Sequence, residues 1–311
     1  MRRLLIAALL PLALAAAPPV TRQTRVRIPA WLNGNGGNGA KLGLRNVAAM
    51  LDGSPARVVS LRGPGDDLLL ILVLDLVGDL ALVDPAKEAL AAQIERLPDR
   101  TYTGLLRAQD GLKVITDPTR DRSSVAQAVR ELPVSGKAGL LETVETALGI
   151  ADAVLARSLV RVAVFYVTDS DVYNYREDYT NPVINSSDYH DLSRRFPEGL
   201  IQEKITKLEA RVRAHQAPLF IVHLNYRSDR LNEAYQNGLK QLAEATGGSS
   251  AFCRSLPDIP ASITAMFESI GAHYSIGIEL PARVRQAVDV QLSLAGVEGR
   301  ALNHRARLHL K

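Results

Sequence analysis

The sequence predicts an α/β protein: a doubly wound, mostly parallel sheet flanked by helices, with β segments from both ends of the chain forming a small accessory unit. Three observations predict it. The run 68–74 is continuously apolar and strand-length, and 159–167 is apolar apart from Arg161, as strands buried on both faces are. Segments of helical periodicity alternate with short strands from residue 68 to about 272, which is the rhythm of βαβ units. The closing stretch, 273–311, returns to period two, and so does part of the leading stretch.

Taken in order, residues 1–16 read as a secretory signal peptide. Arg2 and Arg3 form a basic start, residues 4–14 are apolar apart from Pro11, and Ala13-Leu14-Ala15 offers a small-x-small cleavage site. The apolar run is too short to span a bilayer comfortably, so an exported chain, periplasmic or extracellular after cleavage, is expected. Residues 17–66 form an N-terminal β region. Its Gly/Asn-rich centre, 33–39, reads as a flexible loop, and Asp52-Gly53 marks the turn of a hairpin over 47–61.

Residues 67–272 carry the α/β run. After strand 68–74 comes a helix over 85–97, with Asp84 as cap and Pro85 in its first turn. Residues 102–107 and 112–115 pair around Asp110-Gly111. Helices follow over 123–132 and 140–155, then strand 159–167 and a polar stretch from 169 to 199. Helix 200–215, strand 218–224, helix 229–246, strand 251–253 and helix 257–271 complete the alternation. The tail, 273–311, contributes strands over 274–279, 288–294 and 306–310, suited to pairing with the β region at the front.

Composition limits the function classes. Of 311 residues, 47% are hydrophobic and 23% charged, which excludes a mostly disordered chain and a polytopic membrane protein. One Trp, five Phe and nine Tyr leave the core to Leu, Val, Ile and Ala. The formal charge is +4, but the 29 Arg and 8 Lys are spread along the chain instead of clustered, so no nucleic-acid partner is expected. Without Arg2 and Arg3 the charge falls to +2. The single cysteine, Cys253, excludes an internal disulfide and any multi-cysteine metal site, and its place in a short strand suits a buried, inert thiol.

Two strands end in acids: Asp75 and Asp79 after the first, Asp169 and Asp171 after the second. In open α/β sheets, ligands bind beyond the carboxyl ends of the strands at a switch point. Carboxylates and hydroxyls converging there suit a hard cation, or else merely cap loops and helix starts.

Several segments together resemble von Willebrand factor A-type domains, specifically an exported branch known from acidobacterial genomes. They are LLLILVLD (68–75), TDPTRDRSSVAQAV (116–129), GLLETVETALGIA (139–151), VFYVTDSD (164–171), and the long stretch 239–281 with its Gly247-Gly248 and Tyr274. LGLRNVAAMLDGSPARVV (42–59) is similar to that branch's leading hairpin. The resemblance implies a von Willebrand A-like sheet and a metal-ion-dependent adhesion site of Asp-x-Ser-x-Ser, Thr and Asp. Asp75 and Asp169 occupy the two Asp positions, but Val77 and Asp79 stand at the serines and Ala138 at the threonine. The site is thus degenerate at all three hydroxyls. Mg²⁺ is the ion an intact site would hold, and with this donor set no cofactor is expected.

The insert 171–197 is more distinctive. It holds Tyr173, Tyr175, Tyr179 and Tyr189 among Asn, Ser and Arg, the composition of a recognition surface; the alternative is a loop packed on its own domain. Asp188, His190 and Asp191 within it read as a solvated loop and not as a metal cluster. No Gly-x-Ser-x-Gly elbow, P-loop or His-Glu-x-x-His helix is present, so an enzyme is not expected. The sequence therefore favours a non-enzymatic binding or adhesion module contacting another protein or a surface ligand. The alternatives are a structural component of the cell envelope and, further off, a phosphatase-like hydrolase using Asp75.

Overall fold

The computed structural model of the chain describes residues 25–33, 42–175, 197–281, 286–296 and 299–310. Strands β1 (Arg25–Asn33), β2 (Val47–Leu51), β3 (Ser54–Ala56) and β4 (Val58–Arg62) come first. The α/β run follows: β5 (Leu68–Asp75), α1 (Leu80–Glu95), β6 (Thr101–Arg107), β7 (Lys113–Thr119), α2 (Arg122–Glu131), α3 (Leu140–Arg157) and β8 (Arg161–Thr168). It continues with α4 (Pro197–Val212), β9 (Leu219–His223), α5 (Arg230–Ala245), β10 (Ser250–Phe252) and α6 (Asp258–Ala272). Strands β11 (Tyr274–Glu279), β12 (Ala287–Leu294), β13 (Ala301–His304) and β14 (Arg307–His309) complete the order.

The run builds one six-stranded sheet in the order β10-β9-β8-β5-β6-β7, parallel except for β7, which runs antiparallel to β6. Counted within the run, that is the doubly wound order 3-2-1-4-5-6, with its switch point between β5 and β8. Every residue of β5 and β8 is buried, as strands covered on both faces must be. Alternate side chains serve opposite layers. Leu69, Ile71 and Val73 pack with α3, α4 and α5; Leu70, Leu72 and Leu74 pack with α1, α2 and α6. Each such aliphatic side chain contributes about 1.5–3 kcal/mol by burial. The helices read locally: Asp121 and Asp229 cap α2 and α5 by accepting from the Ser124 and Asn232 amides, and α6 buries Ile259, Ile263, Met266, Phe267 and Ile270 at helical spacing.

The two ends of the chain meet in an antiparallel sandwich. One sheet has the order β13-β1-β11-β4 and the other β14-β12-β2-β3. Their inner faces share a core that includes Val26, Ile28, Val47, Leu51, Ile276, Ile278, Val288 and Val290. This is the accessory β unit expected from the terminal segments.

Arginines join the sandwich to the α/β run. Arg161, buried at the start of β8, donates to the Gly271 and His273 carbonyls at the end of α6 (2.9 and 3.1 Å) and to those of Pro64 and Asp66 (3.3 and 3.0 Å). Arg305 reaches the Arg213 and Ala245 carbonyls after α4 and α5 (3.2 and 3.3 Å), and Arg27 the Ser158 carbonyl after α3 (3.3 Å). Trp31 Nε1 donates to the Ser269 carbonyl at 2.9 Å. Four helices thus end here, and cations meet the negative ends of all four helix dipoles and the carbonyls left unpaired there. Burial lowers both Arg161 and Arg305 to about 10.

Several elements differ from expectation. The helix expected from residue 85 starts at Leu80, with Asp79 in the cap position and Pro85 inside it. Val83 is fully buried and anchors the first turn, while Ala81, whose carbonyl the proline leaves without its usual partner, is exposed to solvent. The hairpin over 47–61 closes on β2 and β3 around a left-handed Asp52-Gly53 turn, as expected, but β4 crosses into the other sheet beside β11. Residues 25–33, expected only as part of the N-terminal β region, form a nine-residue strand, and β13 is an additional strand. The Gly/Asn-rich loop is largely outside the described residues, and the signal segment wholly so. Among the described residues, no helix is long and apolar enough to cross a membrane.

Candidate functional site

Asp75 ends β5 beside Thr168, which ends the adjacent parallel strand β8. The carboxylate is fully buried and every contact is a donor. Oδ1 accepts from the Gly139 amide (2.9 Å); Oδ2 accepts from the Thr168 and Ser170 hydroxyls, each at 3.1 Å. Burial pushes its pKa up to about 6, against the pull of those three hydrogen bonds. The network continues inward. Ser170 Oγ lies 2.6 Å from Thr168 Oγ1 and 3.3 Å from the Tyr235 hydroxyl, which is 2.7 Å from that of Tyr175. An ionised carboxylate only accepts, so the protons run towards it, from Tyr175 to Tyr235 to Ser170 to Asp75. His223 Nε2 contacts the Ser170 carbonyl at 2.8 Å while Nδ1 accepts from the Asn225 amide; burial depresses this histidine to about 4, so its ring is neutral.

Asp169 is held differently. Its Oδ1 accepts from the Val77 amide at 2.7 Å, and Oδ2 from those of Gly78 and Asp79 at 3.2 and 3.0 Å. The loop from β5 into α1 thus folds its backbone around this carboxylate, in the place an anion takes at a helix start.

Both acids that the sequence assigned to the ion site come together, but their oxygens already accept hydrogen bonds. Asp79 is exposed and makes no side-chain cap bond. Ala138 is buried with its amide bonded to the Asn174 carbonyl at 3.0 Å, and Val77 brings no oxygen. Gln109 Oε1 is a buried oxygen without a partner, on a side chain whose amide is tied to the Leu76 carbonyl. Among the described residues, no three of His, Cys, Asp and Glu are grouped to hold an ion. The donor set does not fit an octahedral cation such as Mg²⁺.

The tyrosines divide. Tyr173 stands 56% exposed, whereas Tyr175 is buried, its ring edge-on to that of Tyr235 at 5.7 Å, so it offers no contact area. The Tyr235 hydroxyl gives it a buried polar partner, which suits the alternative reading of a tyrosine packed on its own domain. Tyr179, Tyr189, Asp188, His190 and Asp191 lie outside the described residues. Cys253 is buried, and burial raises its thiol. The sequence reading missed Tyr235 and Gly139. Nothing in a tyrosine at a helical spacing marks it as the partner of another sixty residues away. Ser170 was visible, but only as part of an acidic run.

Gly139 illustrates how tightly this corner is built. A Cβ there would overlap the Ala108 carbonyl oxygen, and its amide is the donor to Asp75 Oδ1. Gly139→Ala is expected to destabilise the fold by about 3 kcal/mol, the upper end for overpacking, because backbone cannot retreat as a side chain can. Equilibrium unfolding in urea measures it; a loss below about 1 kcal/mol would contradict this packing.

The order of strands, the switch point between β5 and β8, and two acids where the A-type resemblance places them are now established. The fold is von Willebrand A-like. No family model matches the chain, and no curated protein matches it. Among solved structures, it is similar to an aerotolerance-related membrane protein from Bacteroides fragilis at 13% identity, covering 66% of this chain and 98% of that one, with a TM-score of 0.40. It is also similar to a von Willebrand factor type A protein from Catenulispora acidiphila (12% identity, 93% and 75% covered, TM-score 0.44). A third likeness is to the BatB protein from Bacteroides thetaiotaomicron (15% identity, 66% and 100% covered, TM-score 0.37). The A-type fold is carried by the strand order and the paired acids, not by these likenesses.

Proposed function

We propose that the chain is an exported, non-enzymatic interaction module that contacts another protein through the pole at the carboxyl ends of β5, β8, β9 and β10, without using a metal. One observation carries the reading: loops from all four strand ends place Leu80, Tyr173, Leu256 and the arginines Arg227 and Arg254 on that single pole, with Leu80 58% and Leu256 49% exposed. Arg254 stacks over Tyr226 at 4.7 Å, and Arg227 pairs with Asp171 at 3.4 Å. Tyrosine and arginine around exposed leucine form the usual centre of a protein contact. Tyr179 and Tyr189, which follow Tyr175 in the chain and lie outside the described residues, belong to the proposal on composition alone. The opposite pole is taken by the sandwich.

A photo-reactive residue introduced at Tyr173 tests this against the same residue at Arg57, in the sandwich. Cross-linking in whole cells is expected to trap one defined partner from position 173, undiminished by EDTA, and not from position 57. The same products from both positions, or loss of the product with EDTA, would overturn the reading.

A further inference from the structure

The outer face of the sandwich beside the end of α3 carries a groove far from the recognition pole. Strands β1, β11 and β4 lie side by side there, and their register puts Arg27, Gly277 and Ser60 in one cross-strand row. Gly277 has no side chain to stand between the other two. The Arg27 guanidinium therefore lies across it, donating from Nη1 to Ser60 Oγ at 2.7 Å and from Nη2 to the Ser158 carbonyl at 3.3 Å. A Cβ on residue 277 would overlap Ser60 Oγ, so the row depends on this glycine. Arg25, two positions along the same strand face, and Arg157, from the last turn of α3, line the same groove of about 390 Å³, a volume suited to a small ligand.

The charge in this groove is one-sided. No carboxylate lines it. Glu279, on the rung opposite Arg25, is engaged by Arg57 at 3.5 Å, and Asp66 is engaged by Arg62 at 3.9 Å. Among the described residues, neither Arg25 nor Arg157 has an acidic partner. The crowding registers on Arg27, whose pKa is lowered by burial first and then by Arg62 and Arg25. An arginine in the last helical turn serves the helix dipole, and that accounts for Arg157 alone; it does not account for three guanidinium groups facing one cleft.

We propose that this groove is a binding site for a phosphate-bearing ligand, with Arg27 and Ser60 as its floor and Arg25 and Arg157 as its two arms. Guanidinium forks match the several oxygens of a phosphate, and the double negative charge answers three positive ones better than a single carboxylate does. Ser60 Oγ accepts from Arg27 and keeps its own proton to donate. Val59 and Leu159 supply an apolar wall for whatever carries the phosphate. That carrier is either a small soluble phosphoester or a phospholipid headgroup, and both present the same group.

Calorimetric titration of the mature chain with inorganic phosphate tests the site. Saturable binding is expected, weakened at least tenfold in Arg25→Gln/Arg157→Gln and weakened by added salt. Both residues are exposed, so the double variant should keep the wild-type unfolding transition. Glycerol phosphate and vesicles of phosphatidylglycerol, set against phosphatidylcholine vesicles, separate the two carriers: whichever of the first two binds wild type and not the double variant identifies the source. No saturable binding of inorganic phosphate, or equal binding by the double variant, would overturn the proposal. Neither result bears on the cross-linking at position 173.

Discussion

Arg161→Ala is expected to destabilise the protein by about 3–5 kcal/mol, more than most single substitutions. The guanidinium is buried and makes four hydrogen bonds, all to carbonyl oxygens and none to a carboxylate. Burying the charge costs more than the nearby Asp66 carboxylate returns, which is why its pKa falls to about 10. What offsets that cost is the set of carbonyls it satisfies. Alanine would remove the donors, leave the ends of α6 and of the 64–66 segment unpaired, and open a cavity of most of an arginine's volume. Arg161→Met restores volume but not donors, and is expected to recover less than half of the loss. Urea unfolding of the three proteins decides it; an alanine variant within about 1 kcal/mol of wild type would show that the clamp contributes little.

The second large effect is in pH dependence. His223 and His273 are held neutral, depressed by burial to about 4 and about 3. Their contributions to stability are complete above the unfolded pKa of about 6.5 and are lost as the pH falls towards those folded values. Asp75 acts in the opposite sense. Raised from 3.8 to about 6, it lets the folded state keep a proton that the unfolded state has released. Its burial cost is absent below pH 3.8, grows as the pH rises to about 6 and then stays constant at about 3 kcal/mol. Between about pH 4 and 6, two histidines therefore oppose one aspartate. These three groups together contribute a slope of stability with pH that approaches about 1.4 kcal/mol per unit, the effect of one proton. Asp75→Asn removes the opposing group, so the slope should steepen by about 1.4 kcal/mol per unit. Urea midpoints measured across that range check it, and parallel profiles for the two proteins would refute the assignment.

Much of this was legible in the sequence because the parallel strands carry unmixed signals. Residues 68–74 and 162–167 are apolar on both faces, and Asp110-Gly111 and Asp52-Gly53 are turns that short-range sterics alone dictate. The starts read at 123 and 229 fall within one residue of those of α2 and α5, which Asp121 and Asp229 cap. The start of α1 was not legible, because Pro85 looked like a first-turn residue and only the burial of Val83 reveals a turn before it. The sheet switch at β4 was hidden for a related reason: Val58 to Leu61 reads equally well as either sheet's strand, and only the pairing with β11 decides. At the candidate site, the acids and the missing hydroxyls were readable by position. The hydroxyl network was not, since it joins Tyr175 and Tyr235 from elements far apart in the chain, and the exposure that separates Tyr173 from Tyr175 has no sequence marker.

The pairing of β1 with β11 and β13 also sets an order of events as the chain folds. β1 is synthesised well before both of its neighbours, β11 and β13. Until they arrive, both edges of β1 leave a row of amides and carbonyls open to any passing strand. The α/β run can settle first because its parallel neighbours are joined through nearby helices. β11 leaves the end of α6 through His273 alone, so the settled run holds out a ready edge to which β1 adds. Closing so long a loop costs little more than closing a moderate one, since the entropy grows only with the logarithm of its length. The delay before β1 seats is thus set by synthesis and by maturation of the run, and during it the chain stays pliable at its leading end.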